Sequence, residues 1–130
     1  CVYCHTQQTR PQGFGTDQKR MWGRPSVPGD YVYDRPHLLG TSRTGPDLLN
    51  IGARQPSRDW HLAHLYNPRA VVPESIMPRF PWLFQEKTGT GPQDVPLAPG
   101  SHIVATREAL DLYAYLLALN RTYPVRRAAP

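Results

Sequence analysis

The 15 prolines and 10 glycines of this 130-residue chain restrict it to short regular elements joined by long loops. Proline fixes its own backbone angle and has no amide hydrogen to donate, so helix interiors and central strands exclude it. Residues 11–39 show neither helical nor strand periodicity, and we interpret them as an ordered loop insertion. Four aromatic residues in it indicate that it packs onto the rest of the chain: Phe14, Trp22, Tyr31 and Tyr33.

Capping residues and apolar spacing predict a few short helices within one domain that spans residues 1–130. The longest is expected at 106–120, where an apolar stripe at helical spacing indicates a core helix. We expect the stripe to need a partner helix, which would lie upstream of Cys1 together with any membrane anchor. The other expected helices are 1–9, a short turn of helix within 45–52, and Arg58–Tyr66 behind the N-cap Ser57. Extended loop is expected at 68–81, which holds four prolines, and a linker at 88–100.

The chain opens with Cys1-Val2-Tyr3-Cys4-His5, the C-x-x-C-H pattern of covalent haem attachment. Two thiols on one turn can form thioether bonds to the two vinyl groups of a haem, and the next residue then directs its imidazole at the iron. A redox dithiol and half a zinc site are the alternatives for a bare C-x-x-C. A dithiol of the thioredoxin type needs a βαβ context, which the sequence does not indicate. A zinc site needs two further ligands at comparable spacing, and the sequence has no second cysteine pair. We therefore interpret the motif as the attachment site of one covalently bound haem c.

The second axial ligand of the iron is expected to be Met77. It lies in Pro73-Glu74-Ser75-Ile76-Met77-Pro78, where prolines on both sides restrict the backbone and lower the cost of ordering the loop. Met21 is the alternative source of sulfur. The imidazole alternatives are His37, His61, His64 and His102.

The basic character of the chain does not indicate nucleic acid. The formal net charge is +5, but both signs are scattered along the sequence and no nucleic-acid-binding motif accompanies them. Part of the basic surplus is expected to neutralise the haem propionates. The candidate donors to the propionates are Trp60, Arg69, Arg43 and Arg54.

These residues together resemble class I cytochromes c, which are all-α domains with a few short helices and long loops around one haem. Thr44-Gly45-Pro46-Asp47-Leu48 is similar to the turn of that class in which the proline carbonyl accepts a hydrogen bond from the proximal histidine. The resemblance implies that Pro46 is the partner of His5, and such a bond would orient the ring and raise its basicity.

A narrower resemblance covers about residues 1–84. In order and spacing these residues are similar to the mono-haem subunit of cbb(3)-type cytochrome c oxidases, the FixO/CcoO family. The similar segments are residues 33–36, 43–48, 60–65, 67–69, 71–78 and 81–82. The resemblance implies a membrane anchor, a periplasmic haem domain and a role in relaying electrons towards the subunit that reduces oxygen.

Histidine and methionine ligation fills every position on the iron, which suits electron transfer rather than catalysis. We therefore expect an electron-transfer protein, not an enzyme, whose redox partners form a membrane oxidase or reductase complex on the periplasmic face. Membrane association is expected only through an upstream segment or partner subunits. The alternatives are a diffusible periplasmic carrier, and a haem sensor or peroxidase-like enzyme if the sixth ligand is labile.

Overall fold

The computed structural model describes residues 1–10, 24–88, 94–98 and 101–121. The chain divides into two compact units, one of Cys1–Arg54 with Leu119–Pro130 and the other of Gln55–Ala118. The described residues hold four α-helices and a three-stranded antiparallel sheet, so the prediction of an all-α fold is wrong and the fold is mixed α/β. Much of the expected loop insertion, with Phe14, Met21 and Trp22, lies outside the described residues.

The opening residues of the first unit form a tight turn instead of the helix expected at 1–9. The amides of Cys4 and His5 both donate to the carbonyl of Cys1, at 3.1 and 2.9 Å. Beyond them the backbone leaves the helical path because it bonds to a distant segment: the Gln7 amide donates to the Leu38 carbonyl at 2.9 Å. Long-range pairing therefore replaces the helical hydrogen bonds after one turn.

Two short helices complete the described part of the first unit. A 3₁₀ helix occupies Pro28–Tyr31, inside the expected loop insertion, and helix α1 occupies Ile51–Arg54. Most of the buried side chains here are polar. The buried apolar ones are Tyr31, Leu49 and Ile51, and the buried polar ones are Thr6, Gln7, Ser26, Asp30, Arg43 and Asn50.

The second unit begins with helix α2, Arg58–Tyr66, with the bounds that the sequence predicts. The Ser57 hydroxyl accepts from the Trp60 amide at 3.3 Å and so satisfies one of the free amides of the first turn. A further short helix, α3, occupies Pro68–Val71, so the expectation of extended loop fails there. Pro68 is the first residue of α3, a position where its missing amide hydrogen is not needed.

The sheet lies in and around the region 88–100 that was expected to be a linker: its middle strand along the chain falls inside that region, and the other two strands flank it. Its strands are β1 (Phe84–Thr88), β2 (Val95–Ala98) and β3 (Ser101–Ala105), in the order β1-β3-β2. Both pairs are antiparallel, and Ile103 of the central strand is paired with Glu86 on one side and Val95 on the other. A second 3₁₀ helix, Pro81–Leu83, leads into β1.

The last helix of the second unit, α4, occupies Arg107–Ala118, slightly shorter than the expected 106–120. Thr106 caps it, since its hydroxyl accepts from the Ala109 amide at 3.3 Å. Its apolar face packs against α2 and β3 of the same unit. The buried core of this unit consists of Leu62, Leu65, Tyr66, Phe84, Val95, Ile103 and Ala109. No helix in the described part of the chain is long and apolar enough to cross a bilayer.

Candidate functional site

The two cysteines lie on the opening turn of the first unit. Cys1 and Cys4 are both exposed and both hold free thiols. The turn that the Cys4 and His5 amides form with the Cys1 carbonyl brings the two thiols and the imidazole into one short segment. Neither thiol is engaged in a disulfide, so both are available for covalent bonds to a ligand.

His5 is oriented by a carbonyl from a distant part of the first unit. Its Nδ1 lies 2.9 Å from the carbonyl oxygen of Pro46, 41 positions along the chain. A carbonyl only accepts, so Nδ1 donates and carries the ring proton, which leaves the lone pair on Nε2. A second bond joins the same two segments: the Gly45 amide donates to the Cys4 carbonyl at 2.7 Å.

The electrostatic surroundings of His5 favour its neutral form. Burial lowers the pKa of His5, the positive charges of Arg54 and Arg43 lower it further, and the hydrogen bond to Pro46 partly opposes them. Only the neutral ring has a lone pair to give to a metal. The donor set of two free thiols and a neutral, oriented imidazole therefore fits a covalently attached haem.

Arg43, one of the expected propionate donors, is buried and bound within the first unit. Its Nη1 donates to the Asp47 carboxylate at 2.9 Å and also to the Gln8 carbonyl at 2.9 Å. Arg54 donates through Nη2 to the backbone carbonyl of Asp47 at 3.2 Å. Both guanidinium groups thus hold the segment that carries Pro46.

Met77 lies in the second unit, in the loop between α3 and the second 3₁₀ helix. It is partly buried and packs against the apolar core of that unit. Its amide donates to the Ser75 hydroxyl at 3.2 Å, and the Ser75 amide donates to the Val72 carbonyl at 2.9 Å. The Phe80 amide donates to the Leu65 carbonyl of α2 at 3.0 Å, so the loop is anchored on both sides of Met77.

The other expected site residues of the second unit have different surroundings. The Trp60 ring stacks on His64, with centroids 4.6 Å apart and planes 12° apart. Arg69 is exposed on α3. His61 is buried and donates through Nε2 to the Gln55 carbonyl at 2.7 Å, and His102 Nε2 lies 2.9 Å from the Asp94 carboxylate.

The four histidines considered as alternatives to Met77 for the second iron ligand differ in their surroundings. His61 and His102 each have a protein partner on Nε2, His64 stacks on Trp60, and His37 is exposed in the first unit. Within the described ranges no three His, Cys, Asp or Glu side chains converge on a position that could hold a metal ion.

No role was assigned from the sequence to two residues of this site, Gly45 and Asp47. A Cβ at Gly45 would lie 2.5 Å from Cε1 of the His5 ring, so the ring fits only against glycine. Asp47 accepts hydrogen bonds from Arg43 and Leu49, which are close to it in the chain, and from Ser26, which is 21 positions away. Both residues lie in the Thr44–Leu48 motif, which is the only signal for them in the sequence. Their contacts with His5 and Ser26 join residues far apart in the chain, and a local sequence pattern does not reveal such contacts.

Two thiols separated by two residues and followed by an oriented neutral imidazole define the class of haem-binding proteins of the cytochrome type. A family model described as cytochrome c oxidase, mono-heme subunit/FixO, matches residues 1–97. The chain belongs to this family, and so it is a one-haem subunit of a cytochrome c oxidase that functions in electron transfer. A search of curated proteins found no significant match.

Proposed function

We propose that this chain relays single electrons within a respiratory oxidase through one haem c attached to Cys1 and Cys4, with His5 and Met77 as the axial ligands. The observation that supports this most directly is the 2.9 Å hydrogen bond from His5 Nδ1 to the Pro46 carbonyl, next to two exposed free thiols. When bound, the haem supplies an iron that changes its charge by one electron.

The residues of the first unit provide attachment and orientation. Each thiol of Cys1 and Cys4 would add across one vinyl group of the haem, with the sulfur bonding to one vinyl carbon and the thiol hydrogen passing to the other. His5 would present Nε2 to the iron, because Nδ1 is engaged by Pro46. The Pro46 carbonyl draws the ring proton towards itself and so increases electron donation from Nε2.

The second unit provides the other ligand. The Met77 loop is fixed by backbone bonds at Val72 and Leu65, which limits the freedom that a bound sulfur would lose. A thioether favours ferrous iron more than an imidazole does, so histidine and methionine together give a higher reduction potential than two histidines. Both ligands suit both oxidation states, and therefore little of the protein has to move when an electron passes.

The relay role and the location follow from the same assignment. A saturated iron has no position for oxygen or another substrate, so oxygen reduction belongs to a partner subunit of the oxidase. Covalent attachment of haem in bacteria occurs outside the cytoplasm, so the proposal assigns this chain to the periplasmic face. Among the residues that the structure describes, no feature specifically favours a diffusible carrier or a haem sensor.

The test compares two methionine substitutions in the purified haem-loaded protein. Met77→Ala should keep the haem covalently attached, lower the reduction potential, remove the weak near-infrared sulfur-to-iron band of the ferric form, and allow the ferrous form to bind carbon monoxide. Met21→Ala, the matched control, should change none of these properties. Loss of the band in Met21→Ala alone would transfer the ligand role to Met21, and colourless wild-type protein would overturn the whole proposal.

A further inference from the structure

Asp47 follows Pro46 directly, and several hydrogen bonds to Asp47 hold the segment that presents the Pro46 carbonyl to His5. The side chain of Asp47 is only 11% exposed, and it faces an Arg43 side chain that is 4% exposed. A buried carboxylate is stable only when its oxygens are hydrogen-bonded and its charge is balanced. The partners of Asp47 therefore determine where the carboxylate can lie.

Three donors reach the Asp47 carboxylate: two lie within four residues of it in the chain, and the third comes from the loop insertion. Its Oδ1 accepts from the Leu49 amide at 2.9 Å, which forms an Asx-turn and fixes the chain just after Pro46. Its Oδ2 accepts from Arg43 Nη1 at 2.9 Å and from the Ser26 amide at 3.2 Å. Ser26 lies near the middle of the loop insertion, so that loop is tied to the turn through Asp47.

The backbone of Asp47 is held as well, since its carbonyl accepts from Arg54 Nη2 at 3.2 Å. The peptide that joins Pro46 to Asp47 is thus restrained by its own carbonyl bond to His5 on one side and by these contacts on the other. A hydrogen bond between segments 41 positions apart needs both ends held in place. The His5 end is held by its turn, and the Pro46 end by Asp47.

We propose that Asp47 is a positioning residue for the proximal histidine: its carboxylate, held by Arg43, Leu49 and Ser26, fixes the Pro46 carbonyl against His5 Nδ1 and so sets how strongly the ring donates to the iron. This inference rests on the proposed function, because it assigns a role towards the haem. It concerns the geometry of a hydrogen bond.

The experiment measures how fast the His5 Nδ1 proton exchanges with deuterium, by proton NMR on the ferrous haem-loaded protein. Asp47→Ala removes every side-chain acceptor and should speed this exchange by about tenfold or more, the equivalent of one lost hydrogen bond. Asp47→Asn keeps an oxygen that can accept from Leu49, so a smaller acceleration is expected. The reduction potential should rise with the exchange rate, because a weaker bond to Pro46 makes the ring a poorer donor.

The matched control is Asp34→Asn, which removes one negative charge from the same unit. Asp34 pairs with Gln7 and Arg121, and in the described part of the chain it makes no bond to the Thr44–Leu48 turn. Asp34→Asn should leave the exchange rate unchanged. Any rise in reduction potential that Asp34→Asn and Asp47→Asn share therefore measures the loss of charge alone. A merely structural role for Asp47 would lower stability without changing ring-proton exchange in the folded protein.

Two results would overturn the inference, and they differ from failure of the proposed function. Exchange in Asp47→Ala within about twofold of the wild type, with haem attached, would remove the positioning role alone. If Asp47→Ala does not fold, Asp47→Asn is the test. Its His5 ring proton must then exchange faster than that of Asp34→Asn, and equal rates would contradict the positioning role. A wild-type protein without haem, or without a His5 ring proton shifted by the haem ring current, would instead remove the proposed function and this inference with it.

Discussion

Gly45 lies so close to the imidazole of His5 that the ring occupies the space a side chain would need. A Cβ built there would lie 2.5 Å from Cε1, 2.8 Å from Nδ1 and 2.9 Å from Nε2. Real Cβ atoms do not approach other atoms so closely, and a partly buried ring held by Pro46 has little room to move away. The absence of a side chain is therefore a condition for the orientation of His5.

Gly45→Ala should displace the His5 ring, because the new methyl group overlaps it. Overpacking of this kind typically costs about 1–3 kcal/mol of the free energy of unfolding. Denaturant titration measures that cost, and the Soret spectrum of the haem-loaded protein reports whether His5 still binds the iron. Gly29→Ala is the control, since a Cβ at Gly29 would meet nothing within 4 Å. Equal behaviour of the two variants would contradict the packing argument.

Asp30 is a buried carboxylate whose partners keep it ionised. Burial by itself would raise its pKa, but hydrogen bonds from Arg24 and the Val27 amide and the positive charges of Arg24 and Arg121 outweigh burial, so the pKa lies below its ordinary value of 3.8. The Arg24 and Asp30 side chains meet at 2.6 Å, and the same carboxylate closes the first turn of the 3₁₀ helix Pro28–Tyr31. Its charge therefore stabilises the fold.

Because the pKa of Asp30 is lower in the folded state, its contribution is complete above the unfolded pKa of 3.8 and is lost as the pH falls through the folded value. Asp30→Asn should lower the free energy of unfolding at pH 7 by about 1.5–3 kcal/mol, and that difference should shrink below about pH 4. Asp111→Asn is the control, since its ion pair with Arg107 is exposed. A difference that stays constant down to pH 2 would exclude this charge effect.

At the scale of elements, the sequence is informative wherever a local signal marks both ends of a helix. Ser57 and Pro68 bracket α2, and the observed bounds Arg58–Tyr66 are those predicted. Thr106 marks the start of α4 in the same way. The opening residues mislead because Gln7 bonds to Leu38, and no local pattern contains that partner.

The sheet could not be predicted because its strands lack the usual alternation. β1 is mostly polar, β2 contains Pro96, and β3 follows a segment rich in glycine and proline. Pairing β1 with β3 joins Phe84 to Ala105, a non-local contact that a reading of neighbouring residues cannot supply. The same limit applies to the site: the C-x-x-C-H motif is visible in five consecutive letters, whereas the roles of Gly45 and Asp47 depend on contacts across the first unit.

The central strand of the sheet should be important for the stability of the second unit. Ile103 is 0% exposed and belongs to its core, so Ile103→Ala should cost about 2–5 kcal/mol of the free energy of unfolding. Ile76→Ala removes the same atoms from a side chain that is 76% exposed and should change it by less than about 0.5 kcal/mol. Denaturant midpoints of the two variants give the comparison, and similar losses would show that the sheet does not form part of the core.

At the scale of the whole molecule, the first unit has little apolar burial of its own. Three buried apolar side chains stand beside six buried polar ones in its described residues, and polar burial contributes little net stability. A covalently attached haem would add a large apolar surface. Cys1→Ala combined with Cys4→Ala should therefore abolish a cooperative thermal transition in this unit, measured by near-ultraviolet circular dichroism. An unchanged transition would mean that the protein packs without its cofactor.

The net charge of the chain acts over longer distances than any single contact. The chain has a formal charge of +5 and an isoelectric point near 9.6, and its charges of both signs are dispersed, so an approaching reagent meets a net positive field. Screening shortens the reach of that field from about 30 Å at 0.01 M salt to about 10 Å at 0.1 M. Oxidation of the reduced haem protein by an anionic iron complex should therefore slow as salt is added, whereas oxidation by a cationic complex should become faster. Stopped-flow rates for the two reagents over that range are the measurement, and salt effects of the same sign for both would show that the field at the haem edge is not the one the net charge predicts.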